Sequence, residues 1–215
     1  MNYLGQMTTK TIVISHYNED LSWINNLNVN YTDIRVYTKS DSFQKKSDRV
    51  SNIYHLPINK GNEASCYLKY ILDNYDNFPT YTIFIHAHEY SPHHTGSTQK
   101  ILNELIDMKT YYHNFNNYKL GYILTNPLID HILKWYTEYL ENELGPIEDY
   151  GDWTPEHQGC AQFLVHRSLI LSRPKEFYQK LYDWIITTDL PNAWTGRFLE
   201  WTWHLMWRQV PKITE

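Results

Sequence analysis

Short apolar runs of strand length alternate with longer amphipathic segments along the chain. Residues 11–15 form an almost continuous apolar run, as expected for a strand that is covered on both faces of a sheet. The other segments with a strand pattern are residues 34–38, 53–56, 81–86, 118–124 and 160–165.

Helical periodicity fills the intervals between these strands. Between residues 61 and 78 the apolar side chains recur on one helical stripe, Asn62 is available as the N-cap, and Pro79 ends the helix. Further helices are predicted at about residues 97–106, 128–144, 174–187 and 196–208. The alternation of strands and helices predicts an α/β sandwich in which helices flank a mostly parallel central sheet.

The composition fits one soluble globular domain. The chain has 215 residues, of which 42% are hydrophobic and 20% are charged, and these values do not suit a disordered, coiled-coil or collagen-like protein. A net charge of −5 provides no basic surface for the phosphates of a nucleic acid, so we expect no nucleic-acid partner.

The sequence also carries none of the usual signals for export or membrane insertion. The first residues are polar, and no run approaches the roughly 18 apolar residues of a membrane span. The two cysteines, Cys66 and Cys160, lie outside any CxxC pattern. We therefore expect a cytoplasmic protein with no membrane span and no disulfide framework.

The chain contains 11 histidines, and their densest group follows the strand at residues 81–86. In an extended segment, residues two apart project to the same side, so His86 and His88 can present their imidazoles to one divalent ion. His93 and His94 follow closely. The alternative is that His86 is a core histidine at a strand end and that His93 and His94 are ordinary loop residues.

Two other polar segments follow predicted strands, where ligands bind in α/β sheets. They can contact a base, a ribose or a phosphate, or they can simply cap the helices that follow. The candidate ligand-binding residues in these two segments are Tyr17, Asn18, Glu19, Lys60, Gly61, Asn62 and Glu63.

Glu200 and His204 are four residues apart in an aromatic-rich segment near the end of the chain. A carboxylate in apolar surroundings can act as a general base, and His204 can pair with it or bind a metal ion. The alternative is an internal ion pair that anchors the last helix. Glu156 is the reserve acid–base candidate. The chain has no GxSxG, Walker A, GxGxxG or HExxH motif.

In these segments the sequence resembles an uncharacterised family of unknown function that is similar to compact GT-A fold glycosyltransferases. The resemblance is carried by residues 17–23, 59–71, 84–88, 159–163 and 196–204. It implies one GT-A-like, Rossmann-like domain over residues 1–215. It also implies a UDP- or GDP-linked sugar donor and a carbohydrate or glycoprotein acceptor.

The GT-A resemblance further implies a divalent cation at an Asp-x-Asp motif, but this chain has His86-Ala87-His88 at that place. Because imidazole favours softer ions such as Mn²⁺ or Zn²⁺, Mn²⁺ is expected rather than Mg²⁺, with His86, His88 and His204 as the metal ligands. The alternative is a site without metal, in which the histidines contact phosphate directly. Glu200 best matches the place of the catalytic base.

Two alternatives to sugar transfer are open at this point. One is a metal-dependent hydrolase or lyase built on His86, His88, His93 and His94. The other is a non-catalytic carbohydrate-binding module, in which Glu200 would have no chemical role.

Overall fold

The computed structural model describes residues 9–27, 33–43, 47–117, 128–147, 159 and 161–207. Within these residues, six strands form one sheet. The strands are β1 (Lys10–His16), β2 (Asp33–Thr38), β3 (Asn52–His55), β4 (Tyr81–His86), β5 (Tyr112–Asn114) and β6 (Phe163–His166). Their order across the sheet is β3-β2-β1-β4-β6-β5.

The helices follow the strands as the predicted alternation requires. A short 3₁₀ helix spans Ser22–Asn26. The α-helices are α1 (Asn62–Asn74), α2 (Thr98–Leu105), α3 (Ile129–Tyr139), α4 (Glu141–Leu144), α5 (Arg167–Ile170), α6 (Lys175–Thr187), α7 (Asn192–Glu200) and α8 (Trp203–Trp207).

The strand pairing confirms the α/β class and the mostly parallel sheet. Strand β1 pairs in parallel with both β2 and β4, and β2 pairs in parallel with β3. Strand β6 runs antiparallel to its two neighbours, β4 and β5.

The apolar core lies on both faces of this sheet. Alternate side chains of β1 point to opposite faces, so Val13 belongs to the core layer beneath α1 and α6, and Ile12 belongs to the layer beneath the 3₁₀ helix and α2. On β4, Phe84 belongs to the same core layer as Val13, and Ile83 belongs to the same layer as Ile12. Burial on both faces explains why the strand at residues 11–15 is apolar without alternation.

Several predicted elements differ from the observed ones. The predicted helix at residues 196–208 is two helices, α7 and α8, separated by a turn at Trp201 and Thr202, so Glu200 and His204 do not lie on one continuous helix. The predicted helix at residues 128–144 is likewise divided into α3 and α4. Strand β5 was not predicted because its three residues, Tyr-His-Asn, carry no apolar alternation. The predicted strand at residues 118–124 lies outside the described residues.

No helix in the described part of the chain is both long enough and apolar enough to cross a membrane. Cys66 is a buried free thiol, and Cys160 lies outside the described residues.

Candidate functional site

The order of the strands locates a cleft between β1 and β4. From β1 the sheet extends to β2 and β3 on one side, and from β4 it extends to β6 and β5 on the other. Ligands of open α/β sheets bind outside the carboxyl ends of the strands where the strand order reverses in this way. In this chain those ends are His16 on β1 and His86 on β4.

Three adjoining cavities lie at this edge of the sheet, and neighbouring cavities share lining residues. The tyrosine groove, of about 530 Å³, is lined by Tyr17, Asn18, Glu19, Asp20, Ser22, Trp23, His88, Glu89 and Tyr90. The central cavity, of about 580 Å³, is lined by Ser15, His16, Tyr17, Glu19, Lys39, Asn59, Asn62, Glu63, His86, His88, Ser91, Pro92, His93 and Asn192. The carboxylate cavity, of about 320 Å³, is lined by Asn62, Glu63, His86, His93, Ala193, Arg197 and Glu200.

The loop after β1 is held in place by His16, which is buried. Its Nε2 donates to the carbonyl of Glu19 at 3.1 Å, and its Nδ1 forms a hydrogen bond with the Thr38 hydroxyl at 2.8 Å. The Glu19 carboxylate accepts from the backbone N–H of Tyr17 at 2.7 Å and lies 3.7 Å from Nε2 of His88. The predicted ligand residues of this loop therefore line a pre-formed edge of the cleft, and Tyr17 is 43% exposed there.

The loop after β4 packs against the same cleft. The indole N–H of Trp23 donates to the carbonyl of Ala87 at 2.8 Å, and the backbone N–H of His86 donates to Oε1 of Gln162 at 3.3 Å. The rings of His86 and His93 meet edge to face, with their centroids 5.7 Å apart. These contacts fix the end of β4, so His86 faces the cavities.

The start of α1 is capped by a residue from another helix, which corrects the predicted role of Asn62. Gly61, with φ +74°, occupies the N-cap position and makes no side-chain cap. Oδ1 of Asn192 instead accepts from the backbone N–H groups of Gly61 and Asn62. Sequence reasoning missed Asn192, although Pro191-Asn192 is typical of a helix start.

Lys60 and Gly61 are held within the protein rather than at the cavities. The ammonium of Lys60 donates to the carbonyl of Thr188, beyond the end of α6. Neither Lys60 nor Gly61 lines the three cavities, whereas Asn62 and Glu63 line two of them. Of the four residues predicted in this segment, only the last two are in a position to contact a ligand.

Helix α7 approaches α1 closely because Gly196 has no side chain. A Cβ atom at Gly196 would lie 2.5 Å from Nδ2 and 2.8 Å from Cβ of Asn62, closer than non-bonded heavy atoms pack. This contact places Glu200, at the end of α7, in the same cavity as Glu63.

Glu63 and Glu200 form a pair of carboxyl groups in one cavity. Burial raises the pKa of Glu63 to about 8, and the negative charge of Glu200 contributes to this rise. Oε1 of Glu63 is buried without a hydrogen-bond partner among the described residues. At neutral pH Glu63 is therefore mainly a neutral acid, and a raised pKa on one of two neighbouring carboxyl groups can separate the roles of acid and base in one site.

His86 is neutral for the same physical reason. Its Nε2 lies 3.9 Å from Oε2 of Glu63. Burial, together with the neighbouring histidines His93, His88 and His94, lowers the pKa of His86 to about 3. His86 and Glu63 are thus two neutral groups in contact, and each can form a hydrogen bond with a ligand.

The raised pKa of Glu63 predicts a measurable dependence of stability on pH. Between its ordinary pKa of 4.5 and about 8, folded Glu63 holds a proton that the unfolded chain has released, so stability falls as pH rises through this window. Glu63→Gln removes this dependence. The free energy of unfolding of the variant, measured in urea, should therefore rise relative to wild type by more than about 1.4 kcal/mol between pH 5 and pH 8.

The control for this measurement is Glu104→Gln, which changes an exposed carboxylate on α2. It should keep a constant difference from wild type over the same pH range. A constant difference for Glu63→Gln as well would show that Glu63 is ionised in the folded protein.

The three predicted metal ligands do not come together. His86 and His88 line the central cavity, but His204 is buried and does not line any of the three cavities. In the described ranges there is no group of three or more His, Cys, Asp or Glu side chains arranged to hold a metal ion. The described donor set therefore does not supply the three or four protein ligands of a zinc-type site, and we derive no chemical step through a metal.

The other histidines and aromatic residues divide between site and core. His93 lines two cavities, whereas His94 is buried against the start of α2, with Nε2 3.4 Å from the Thr98 hydroxyl. The four histidines of the hydrolase alternative therefore do not all face the cleft.

Trp201 is 1% exposed and belongs to the core, so it is not available to stack on a sugar. Glu156 lies outside the described residues.

Comparison with known proteins gives a family without an assigned activity. A family model described as a protein of unknown function (DUF3431) matches residues 12–124 and 148–214. The search of curated proteins finds no match to the chain. The matched ranges contain β4, α1, α7 and all but the first two residues of β1, which together form the cleft.

Proposed function

This chain belongs to the DUF3431 family, which is described as being of unknown function, and from the geometry of its cleft we propose that it is a glycosyltransferase. It moves a sugar from a nucleoside diphosphate donor to a hydroxyl group of a carbohydrate or glycoprotein acceptor. The observation that carries this proposal is the pair of carboxyl groups, Glu63 and Glu200, that line one cavity at the point where the strand order of the sheet reverses.

The architecture supports a nucleotide-containing donor. The order β3-β2-β1-β4 is the one found in the first part of dinucleotide-binding sheets, whose ligands lie across the β1 and β4 ends. It also agrees with the GT-A resemblance of the sequence. The three adjoining cavities supply a cleft in the size range of small-molecule sites.

The proposed chemistry needs one base and one leaving group. Glu200 takes the proton of the acceptor hydroxyl as the oxygen forms a bond to the anomeric carbon of the sugar. The bond from that carbon to the phosphate oxygen breaks, and the nucleoside diphosphate leaves with the electron pair. Glu63, as a neutral acid, donates a hydrogen bond in the same cavity.

The loop after β1 is proposed to hold the base and ribose. Tyr17 is 43% exposed in the tyrosine groove, so its ring is available for stacking. Asn18 and Glu19 line the same groove and carry hydrogen-bonding groups.

Mn²⁺ bound at His86 and His88 stays a proposal, which the experiment below tests separately.

A thermal-shift measurement tests donor binding. UDP-linked or GDP-linked sugars should raise the melting temperature of the protein by about 2–4 °C for each 1 kcal/mol of stabilisation. Each ligand is measured with Mn²⁺ and with a chelator, so that any dependence on metal is seen directly.

Two tyrosine variants make the test specific for the site. Tyr17→Ala should reduce the shift, because it removes an exposed ring from the groove. Tyr111→Ala is the matched control, since Tyr111 is 47% exposed but packs beside His166, at the other end of the sheet. If no nucleotide sugar shifts the wild-type melting temperature under either condition, the proposed function is wrong.

A further inference from the structure

Lys39 is a buried cation in the wall of the central cavity. It follows β2 directly, is 8% exposed, and lines the cavity together with His86, His88 and His93. Lysine is rarely buried to this extent unless its charge is paired. We therefore expect a group that pairs with the charge of Lys39.

Lys10 is the other buried lysine among the described residues, and its ammonium has all its hydrogen bonds satisfied. Lys10 is 7% exposed, and its Nζ donates to three carbonyl oxygens, those of Leu105, Ile106 and Met108. An ammonium has three N–H donors, so Lys10 uses all of them. Its role at the end of α2 is structural.

Lys39 differs from Lys10 in this respect. Within the described ranges its Nζ donates to one acceptor, the carbonyl of Asn62, and it has no carboxylate within 4.0 Å. Two of its three donors are left without a protein acceptor there. A buried charge with unused donors is costly unless a ligand supplies the missing acceptors.

The carboxyl groups of the central cavity do not take the two remaining donors of Lys39. Among the described residues, neither Glu63 nor Glu19 has a carboxylate oxygen within 4.0 Å of Nζ of Lys39. The Glu19 carboxylate instead accepts from the backbone N–H of Tyr17 and lies 3.7 Å from Nε2 of His88. The cavity therefore leaves the ammonium of Lys39 available to an anion.

We propose that Lys39 is the anion-binding residue of the central cavity and takes the oxygens of a phosphate or diphosphate group. If the proposed function holds, that anion is the diphosphate of the sugar donor, and Lys39 provides a positive charge beside it. Asn59, Asn62 and Asn192 line the same cavity and can complete the hydrogen bonding of the anion.

Isothermal titration with pyrophosphate in the presence of a chelator tests this proposal. Wild type should bind pyrophosphate without a metal, and Lys39→Met should weaken binding by at least about tenfold, the loss expected when a charge-assisted hydrogen bond is removed. Lys60→Met is the matched control, because Lys60 donates to the Thr188 carbonyl and does not line the cavity. Equal affinity in Lys39→Met and wild type, or no binding to wild type, overturns the proposal.

A crystal of the wild-type protein soaked with pyrophosphate gives a second readout that does not depend on how Lys39→Met folds. An anion within hydrogen-bond distance of Nζ of Lys39 supports the proposal, whereas an anion elsewhere or none at all overturns it.

Failure of this proposal can be told apart from failure of the proposed function. If nucleotide sugars stabilise the protein but pyrophosphate binding is independent of Lys39, only the role of Lys39 is wrong. If Lys39 is needed for pyrophosphate binding but no nucleotide sugar binds, the anion-binding role of Lys39 is supported and the proposed glycosyltransferase function is wrong.

Discussion

Glu200→Gln is expected to reduce the rate of sugar transfer by about 10²–10⁴-fold, the usual contribution of a general base. Glutamine keeps the size of the side chain at the end of α7 but cannot accept the proton of the acceptor hydroxyl. Donor binding should be preserved, because the loop after β1 and the central cavity are unchanged. The measurement is the turnover of a donor that gives a thermal shift, at saturating donor and acceptor.

A second readout links Glu200 to Glu63 directly. The charge of Glu200 contributes to the raised pKa of Glu63, so Glu200→Gln should move the pH-dependent loss of stability to lower pH. Glu104→Gln should change neither turnover nor this profile. Unchanged turnover in Glu200→Gln would show that Glu200 is not the general base. Donor binding without any turnover in wild type would instead favour a non-catalytic carbohydrate-binding module.

Gly196→Ala is expected to destabilise the protein by about 1–3 kcal/mol, as overpacking of a close contact does. The sign of this change in the free energy of unfolding is informative, because replacing glycine by alanine inside a helix otherwise stabilises a protein by up to about 1 kcal/mol. The new Cβ would lie 2.5–2.8 Å from atoms of Asn62. Relief of this clash requires α7 to move away from α1, which also carries Glu200 away from Glu63 and lowers turnover.

A double-mutant cycle checks that the clash is the cause. Asn62→Gly removes the atoms that the new Cβ would meet, and glycine tolerates the φ of +46° at this position. In that background Gly196→Ala should cost little or should stabilise, as measured by urea unfolding. The same loss of stability in both backgrounds would show that the contact with Asn62 is not responsible.

Much of the fold could be predicted because burial leaves a local pattern. The apolar run at residues 11–15 and the stripe that begins near Tyr67 give the positions of β1 and α1 to within a few residues. The break between α7 and α8 has no such signal, because Trp201 and Thr202 are buried like the helical residues around them. The apolar pattern therefore continues through the turn.

The site was predicted only in part, because some of its contacts join residues that are far apart in the chain. The rule that ligands bind after the strands identified Tyr17, Glu63 and His86. The same rule applied to β2 would have found Lys39, which follows that strand directly. Nothing in the sequence indicates that the Lys60 ammonium is held by the Thr188 carbonyl, since the two residues are far apart in the chain.

The sequence by itself determined the α/β class, the mostly parallel sheet, and which strand ends carry polar side chains, because these follow from the periodicity of apolar residues along the chain. Only the tertiary structure decided which of those side chains share a cavity. Protonation and capping depend on neighbours that are distant in sequence. Glu63 is neutral because it is buried beside Glu200, and α1 is capped by Asn192. The roles of the histidines are likewise decided by position, since His16, His86, His88 and His93 line the central cavity, whereas His204 is buried away from it.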